Sequence, residues 1–126
     1  DRKRAVGFYL QKLVQPNTQY GCYRAKGLAP EFFYHFFNRK LSINVKEFGD
    51  LVNTMSPIHI RQDSFAHNMI ARFVKMDGET EDLVACGDVL MYNGVKLKQA
   101  FGGTGYSGEV RFFPDFASRM YFMEAE

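Results

Sequence analysis

Residues Leu83–Phe101, LVACGDVLMYNGVKLKQAF, carry the stretch on which the fold turns. Asn93-Gly94 is a strong hairpin signal, because a type I′ turn needs φ > 0 at both central positions. After it, Val95, Leu97, Gln99 and Phe101 point one way and Lys96, Lys98 and Ala100 the other. Before it, Val84, Cys86, Asp88, Leu90 and Tyr92 alternate with Ala85, Gly87, Val89 and Met91. A strand apolar on both faces belongs mid-sheet, with something covering each side.

Upstream the period changes. Val6, Tyr9, Leu10, Leu13 and Val14 fit a helix over Arg2 to Gln15 that ends before Pro16. Pro30 suits a first helical position, so a second helix is expected through EFFYHFFNRK, apolar nearly all round and hence buried. Asn44 and Glu47 form a capping box for a third, striped by Val45, Phe48, Leu51, Val52 and Met55 and stopped at Ser56-Pro57. Pro57 to Asn68 is expected to be extended and Met69 to Met76 a strand, with Asp77-Gly78 a turn. Glu109 to Phe113 and Ser118 to Met123 are the last expected strands. Helices first and strands second predict an α+β domain: three N-terminal helices packed on one face of an antiparallel sheet.

The 126 residues fit one domain, 1–126, and the absence of an initial Met suggests a piece of a longer chain. Hydrophobic content of 46% predicts a packed core, and a net charge of +2 demands no polyanion. Cys22 and Cys86 are too few for a disulfide framework, so a reducing compartment is the default. No apolar run reaches the length of a membrane span, about 18 residues.

Candidate chemistry is sparse. His35, His59 and His67 lack ligand partners at metal spacing, so no metal or other cofactor is expected. Gly102-Gly103-Thr104-Gly105 lacks the Lys-Ser/Thr of a phosphate loop. Asp88 with Tyr92 is the best pair for acid–base chemistry, against a solvated Asp88. Arg2-Lys3-Arg4, Lys96 and Lys98 allow at most auxiliary RNA contact. The strongest signal is the surplus of large side chains on the C-terminal strands. With 13 Phe and 7 Tyr in the chain, either loops close the core or a sheet face is held for a partner. A few hundred Å² of such surface, at roughly 25 cal/mol per Å², would supply several kcal/mol toward association. Leu90, Tyr92, Leu97, Gln99, Phe101, Arg111, Phe112, Arg119 and Tyr121 are the candidate partner-binding residues, the polar ones setting register.

Three spots resemble the nuclear-transport-factor-2-like family: Cys86-Gly87-Asp88-Val89 its mid-sheet strand, Gln99-Ala100-Phe101 the next, and Pro114-Asp115-Phe116 with Arg119 its last. His59 and Ser64-Phe65 are similar to a stretch of the mRNA-export receptors. The resemblance implies a cone-shaped roll and a non-enzymatic domain in the nucleus. It would pair through its sheet with a small co-factor of the same fold and serve RNA export. It also implies nucleoporin Phe-Gly repeats as possible ligands of the Phe32–Phe37 helix. A homodimeric RNA-granule scaffold and a small-ligand enzyme with Asp88 inside the cone are the alternatives.

Overall fold

The computed structural model describes residues 1–13, 21–44, 46, 53, 59–98, 103–104, 110–111 and 115–126. Its centre is a four-stranded antiparallel sheet. The strands are β1 (Arg4–Leu10), β3 (Phe33–Asn38), β6 (Asp82–Cys86) and β10 (Ser118–Ala125), in the order β1-β10-β3-β6. Short two-stranded pairs surround it. β2 (Cys22–Tyr23) pairs with β7 (Val95–Lys96), β4 (Ser42–Asn44) with β5 (Lys75–Asp77), and β8 (Gly103–Thr104) with β9 (Val110–Arg111). The helical segments include α1 (Phe65–Phe73) and a π-helical turn, Val89–Asn93.

This corrects the α+β expectation of three helices on a sheet. The first expected helix is β1, paired residue for residue with β10 from Arg4↔Glu124 to Leu10↔Ser118. Val6, Phe8 and Tyr9 favour a pleated surface, and Gly7 in a helix interior costs about 1 kcal/mol. Gly7 also leaves room for the Tyr23 ring, which occupies the space a Cβ would take. The second expected helix is β3. Its aromatic run satisfies a period of two as well as 3.6: Tyr34, Phe36 and Asn38 are buried, while Phe33, His35 and Phe37 face the other way. The third falls largely outside the described residues, although Asn44 does accept a hydrogen bond from the Lys46 N–H at 3.0 Å.

The central hairpin is also replaced. β6 pairs with β3, Phe33↔Cys86 to Phe37↔Asp82, and the chain then coils through the π-helical turn before β7. Gly94 has φ 81° and ψ 176°, whereas Asn93 is not among the residues with positive φ, so the two do not form a type I′ turn. Ser64 caps α1 through its hydroxyl, which accepts from the His67 N–H at 3.2 Å. That helix takes over the end of the expected extended segment and most of the expected 69–76 strand. The last strand runs from Ser118, as the alternation predicts, and continues to Ala125.

The core lies on one face of the sheet. Tyr34, Phe36, Tyr121 and Met123 point inward from β3 and β10 and meet Leu90, Leu97, Val95, Ala25 and Leu28. Tyr23, from β2, sits 5.0 Å from Tyr121 and 5.8 Å from Phe36 by ring centroid. The Tyr34 hydroxyl accepts from the Ala29 N–H at 3.0 Å and donates to the Arg2 carbonyl, tying the loop before β3 to the start of β1.

Candidate functional site

Two places concentrate polar chemistry and exposed apolar surface: a buried network beside the core and the outer face of the sheet. The network is built on the turn after β5. Glu79 is 1% exposed and Glu81 3%, inside the acidic run Asp77-Gly78-Glu79-Thr80-Glu81-Asp82. Arg119, from β10, meets Glu79 with both arms of its guanidinium: Nε donates to Oε1 at 2.5 Å and Nη2 to Oε2 at 3.4 Å. The bidentate fork is the strong form of a charge-assisted hydrogen bond. Asn38, at the end of β3, closes the arrangement. Its Nδ2 donates to the Glu79 carbonyl at 2.9 Å, and its Oδ1 accepts from the Glu81 N–H at 2.7 Å. The Glu81 carboxylate accepts from the Lys98 N–H at 2.7 Å, and Lys98 Nζ donates to the Thr80 carbonyl at 2.6 Å. The turn is thereby stitched to three separate segments.

The outer face carries Val6, Phe8 and Leu10 of β1, Met120 and Phe122 of β10, and Phe37 of β3. Phe37 and Phe122 stack at 5.4 Å with 25° between their planes. Beside them lie an Arg4–Glu124 ion pair at 3.8 Å and a His35–Asp82 hydrogen bond at 2.7 Å.

The residues singled out from the sequence are distributed differently. Leu90, Leu97 and Tyr121 are in the core and Arg119 is in the buried ion pair. Tyr92 is exposed on the π-helical turn. Gln99, Phe101 and Phe112 lie outside the described residues, and of Arg111 only the backbone, in β9, is described. Asp88 is on the surface, its carboxylate accepting from the Val89 N–H at 2.6 Å as a local cap. His67 is buried with its Nδ1 accepting from the Asp63 N–H at 3.3 Å, and His59 is exposed. Among the described residues no group of three or more His, Cys, Asp or Glu could hold a metal ion, and no helix is long and apolar enough to cross a membrane. Cys22 and Cys86 are free thiols.

Sequence reasoning missed Glu79 and Glu81, because an acidic run beside a glycine reads as a solvated turn. The available signal was Arg119, a lone charge alternating with Tyr121 and Met123.

The model of the glycosyl hydrolase family 36 C-terminal domain matches residues 1–123. The chain belongs to that family. No curated protein matches it. Membership overturns the resemblance to the nuclear-transport-factor-2-like family, and with it the assignments to RNA export, to an RNA-granule scaffold and to the nucleus. The physical grounds agree. Cys86-Gly87-Asp88-Val89 is a strand end running into a π-helical turn rather than a mid-sheet strand. Ser64-Phe65 is a helix cap. The segment expected to be a Phe32–Phe37 helix, and to take nucleoporin repeats, forms strand β3 from Phe33 onward. The expected co-factor partner rested on that resemblance and loses its support. What stands is a sheet-rich domain of a carbohydrate-active enzyme family.

Proposed function

We propose that residues 1–126 form one accessory domain of a glycosyl hydrolase, without catalytic groups of its own, the hydrolysis being done elsewhere in the enzyme. The observation that carries this reading is the state of Glu79 and Glu81. Glycoside hydrolysis ordinarily uses two carboxyl groups facing the scissile bond across roughly 5–10 Å of open cleft. Glu79 is bound by both arms of Arg119 beneath the surface, and Glu81 is held by the Lys98 N–H. A sugar ring has no approach to either. The pairing of β1 with β10, the first and last strands, supports a single folding unit.

The test is hydrolysis of a panel of aryl glycosides by the purified chain, beside the full-length enzyme that contains it. The expected result is turnover by the full-length enzyme and none above buffer by the chain alone. Turnover by the chain that disappears in Glu81→Gln, with the circular dichroism spectrum unchanged, would refute the proposal.

A further inference from the structure

Asn93-Gly94 is the one Asn-Gly step in the sequence. In such a step the glycine nitrogen is a nucleophile toward the asparagine side chain, because its attack closes a five-membered ring. Glycine has no Cβ to obstruct that approach, so the chemistry is at its fastest here. The fold gives this reactive pair a particular setting. Asn93 is exposed and is the last residue of the π-helical turn, and the Gly94 N–H donates to the Val89 carbonyl at 2.8 Å. The turn is held from several sides. Leu90 is fixed in the core, and its carbonyl accepts from the Ala25 N–H at 3.0 Å. The Asn93 carbonyl accepts from Cys22 Sγ at 3.6 Å, and directly beyond Gly94 the chain enters β7, which is paired with β2.

We propose that Asn93 is a deamidation site whose reaction the π-helical turn holds off, so that the chain is modified there when the turn opens. The Gly94 nitrogen loses its proton and attacks Asn93 Cγ. The new N–Cγ bond forms, the Cγ–Nδ2 bond breaks, and the amide nitrogen takes up that proton and leaves as ammonia. Water then opens the cyclic imide at one or the other carbonyl, leaving aspartate or isoaspartate at position 93. The balance is one water consumed and one ammonia released, with no change of oxidation state.

Two features of the folded turn oppose the first step. The attacking nitrogen has its N–H committed to Val89, and that hydrogen bond has to be given up before the proton can leave. The imide ring is also nearly planar, so Asn93 Cβ and the Gly94 nitrogen have to eclipse about the Asn93 Cα–C bond. A residue in a helical conformation keeps them apart, and the rotation that brings them together swings Gly94 away from Val89. There is little slack for such a swing: a carbon added at Gly94 would lie 2.7–2.8 Å from atoms of Tyr23, Arg24 and Cys22. The rate is therefore set by how often the turn opens locally. The mark is also lasting. Isoaspartate adds a carbon to the main chain between the Cα and the carbonyl that follows it, which carries the Gly94 N–H off the Val89 carbonyl and keeps the turn from closing as before.

The test is peptide mapping by mass spectrometry of the full-length protein held at mildly alkaline pH, following conversion of Asn93 to aspartate and isoaspartate in native buffer and in guanidinium. Conversion is expected to be about tenfold or more slower in native buffer than in guanidinium. Leu90→Ala removes the anchor of the turn in the core. Its native conversion should rise at least threefold over wild type, and its rate in guanidinium should be unchanged. Leu90→Val takes its place if Leu90→Ala does not fold. Equal wild-type rates in the two conditions would overturn the inference, as would a lack of conversion at Asn93 in guanidinium. An unchanged native rate in a folded Leu90 variant would also overturn it, since the protection would then lie outside the turn. The inference rests on the turn and not on the accessory reading, so either can fail without the other.

Discussion

Removing the charge of Glu79 tests the buried network directly. In Glu79→Gln the shape of the side chain is kept, but the Arg119 guanidinium, 7% exposed, loses the carboxylate that both its arms reach. Leaving one member of a buried pair uncompensated costs about 3–5 kcal/mol. A domain of this size is stable by about 5–15 kcal/mol in total, so the variant should stand near the limit of folding. At roughly 4 °C per kcal/mol the melting temperature should fall by about 12–20 °C. The assay is urea unfolding followed by circular dichroism, with m unchanged and the midpoint lowered. Two controls sharpen it. Glu79→Met with Arg119→Met removes both charges, and should recover most of the loss because no orphaned charge remains. Raising salt to 1 M should leave the wild-type to Glu79→Gln difference in place, since a buried pair is weakly screened, in contrast to the exposed Arg4–Glu124 pair. A Glu79→Gln cost under about 1 kcal/mol would refute the reasoning, for that is the range of a solvated surface pair.

Gly87→Ala should destabilise the domain by about 1–3 kcal/mol in the same assay, because its Cβ would run into the Ala29 carbonyl oxygen, a backbone atom with little freedom to yield. Gly94→Ala should cost a similar amount, about 1–3 kcal/mol, from its φ of 81° and from atoms of Tyr23, Arg24 and Cys22 within 2.7–2.8 Å of the added carbon. Burial pushes the Tyr23 phenol above the usual tyrosine pKa, so the unfolded chain releases this proton first as the pH rises. Stability from this group is fully present below about pH 10, is lost progressively as pH climbs from there through the folded-state value, and the slope should shrink in Tyr23→Phe.

How much of this was legible in the sequence depended on whether one face of an element differed from the other. β10 was readable because Ser118 to Met123 alternates and is bounded by Pro114-Asp115. Which of its faces turned inward was not, since Tyr121 and Met123 on one side and Met120 and Phe122 on the other are equally apolar. β1 and β3 failed for a related reason. In a run of six or seven aromatic and aliphatic residues a period of 3.6 and a period of two are both satisfied, and only the distant pairing with β10 decides between them. Asn93-Gly94 gave the correct backbone requirement at Gly94 and the wrong consequence, because the strands on either side take their partners from β3 and β2. For the buried network the obstacle was long range as well: Glu79 and Arg119 are 40 residues apart.

The same two-sided apolarity connects fold to function. A four-stranded sheet with hydrophobic residues on both faces needs two covers, and the described part of this chain supplies one. Ala25, Leu28, Leu90, Val95 and Leu97 close the inner side over Tyr34, Phe36 and Tyr121. On the other side Phe8 and Leu10 keep most of their surface open to solvent. The charged groups follow the same division: Glu79, Glu81 and Arg119 are committed inside to holding a turn, while Arg4, Glu124, His35 and Asp82 answer one another at the border of the bare patch. The sheet thus holds Glu79, Glu81 and Arg119 beneath the surface and leaves Phe8 and Leu10 open to solvent.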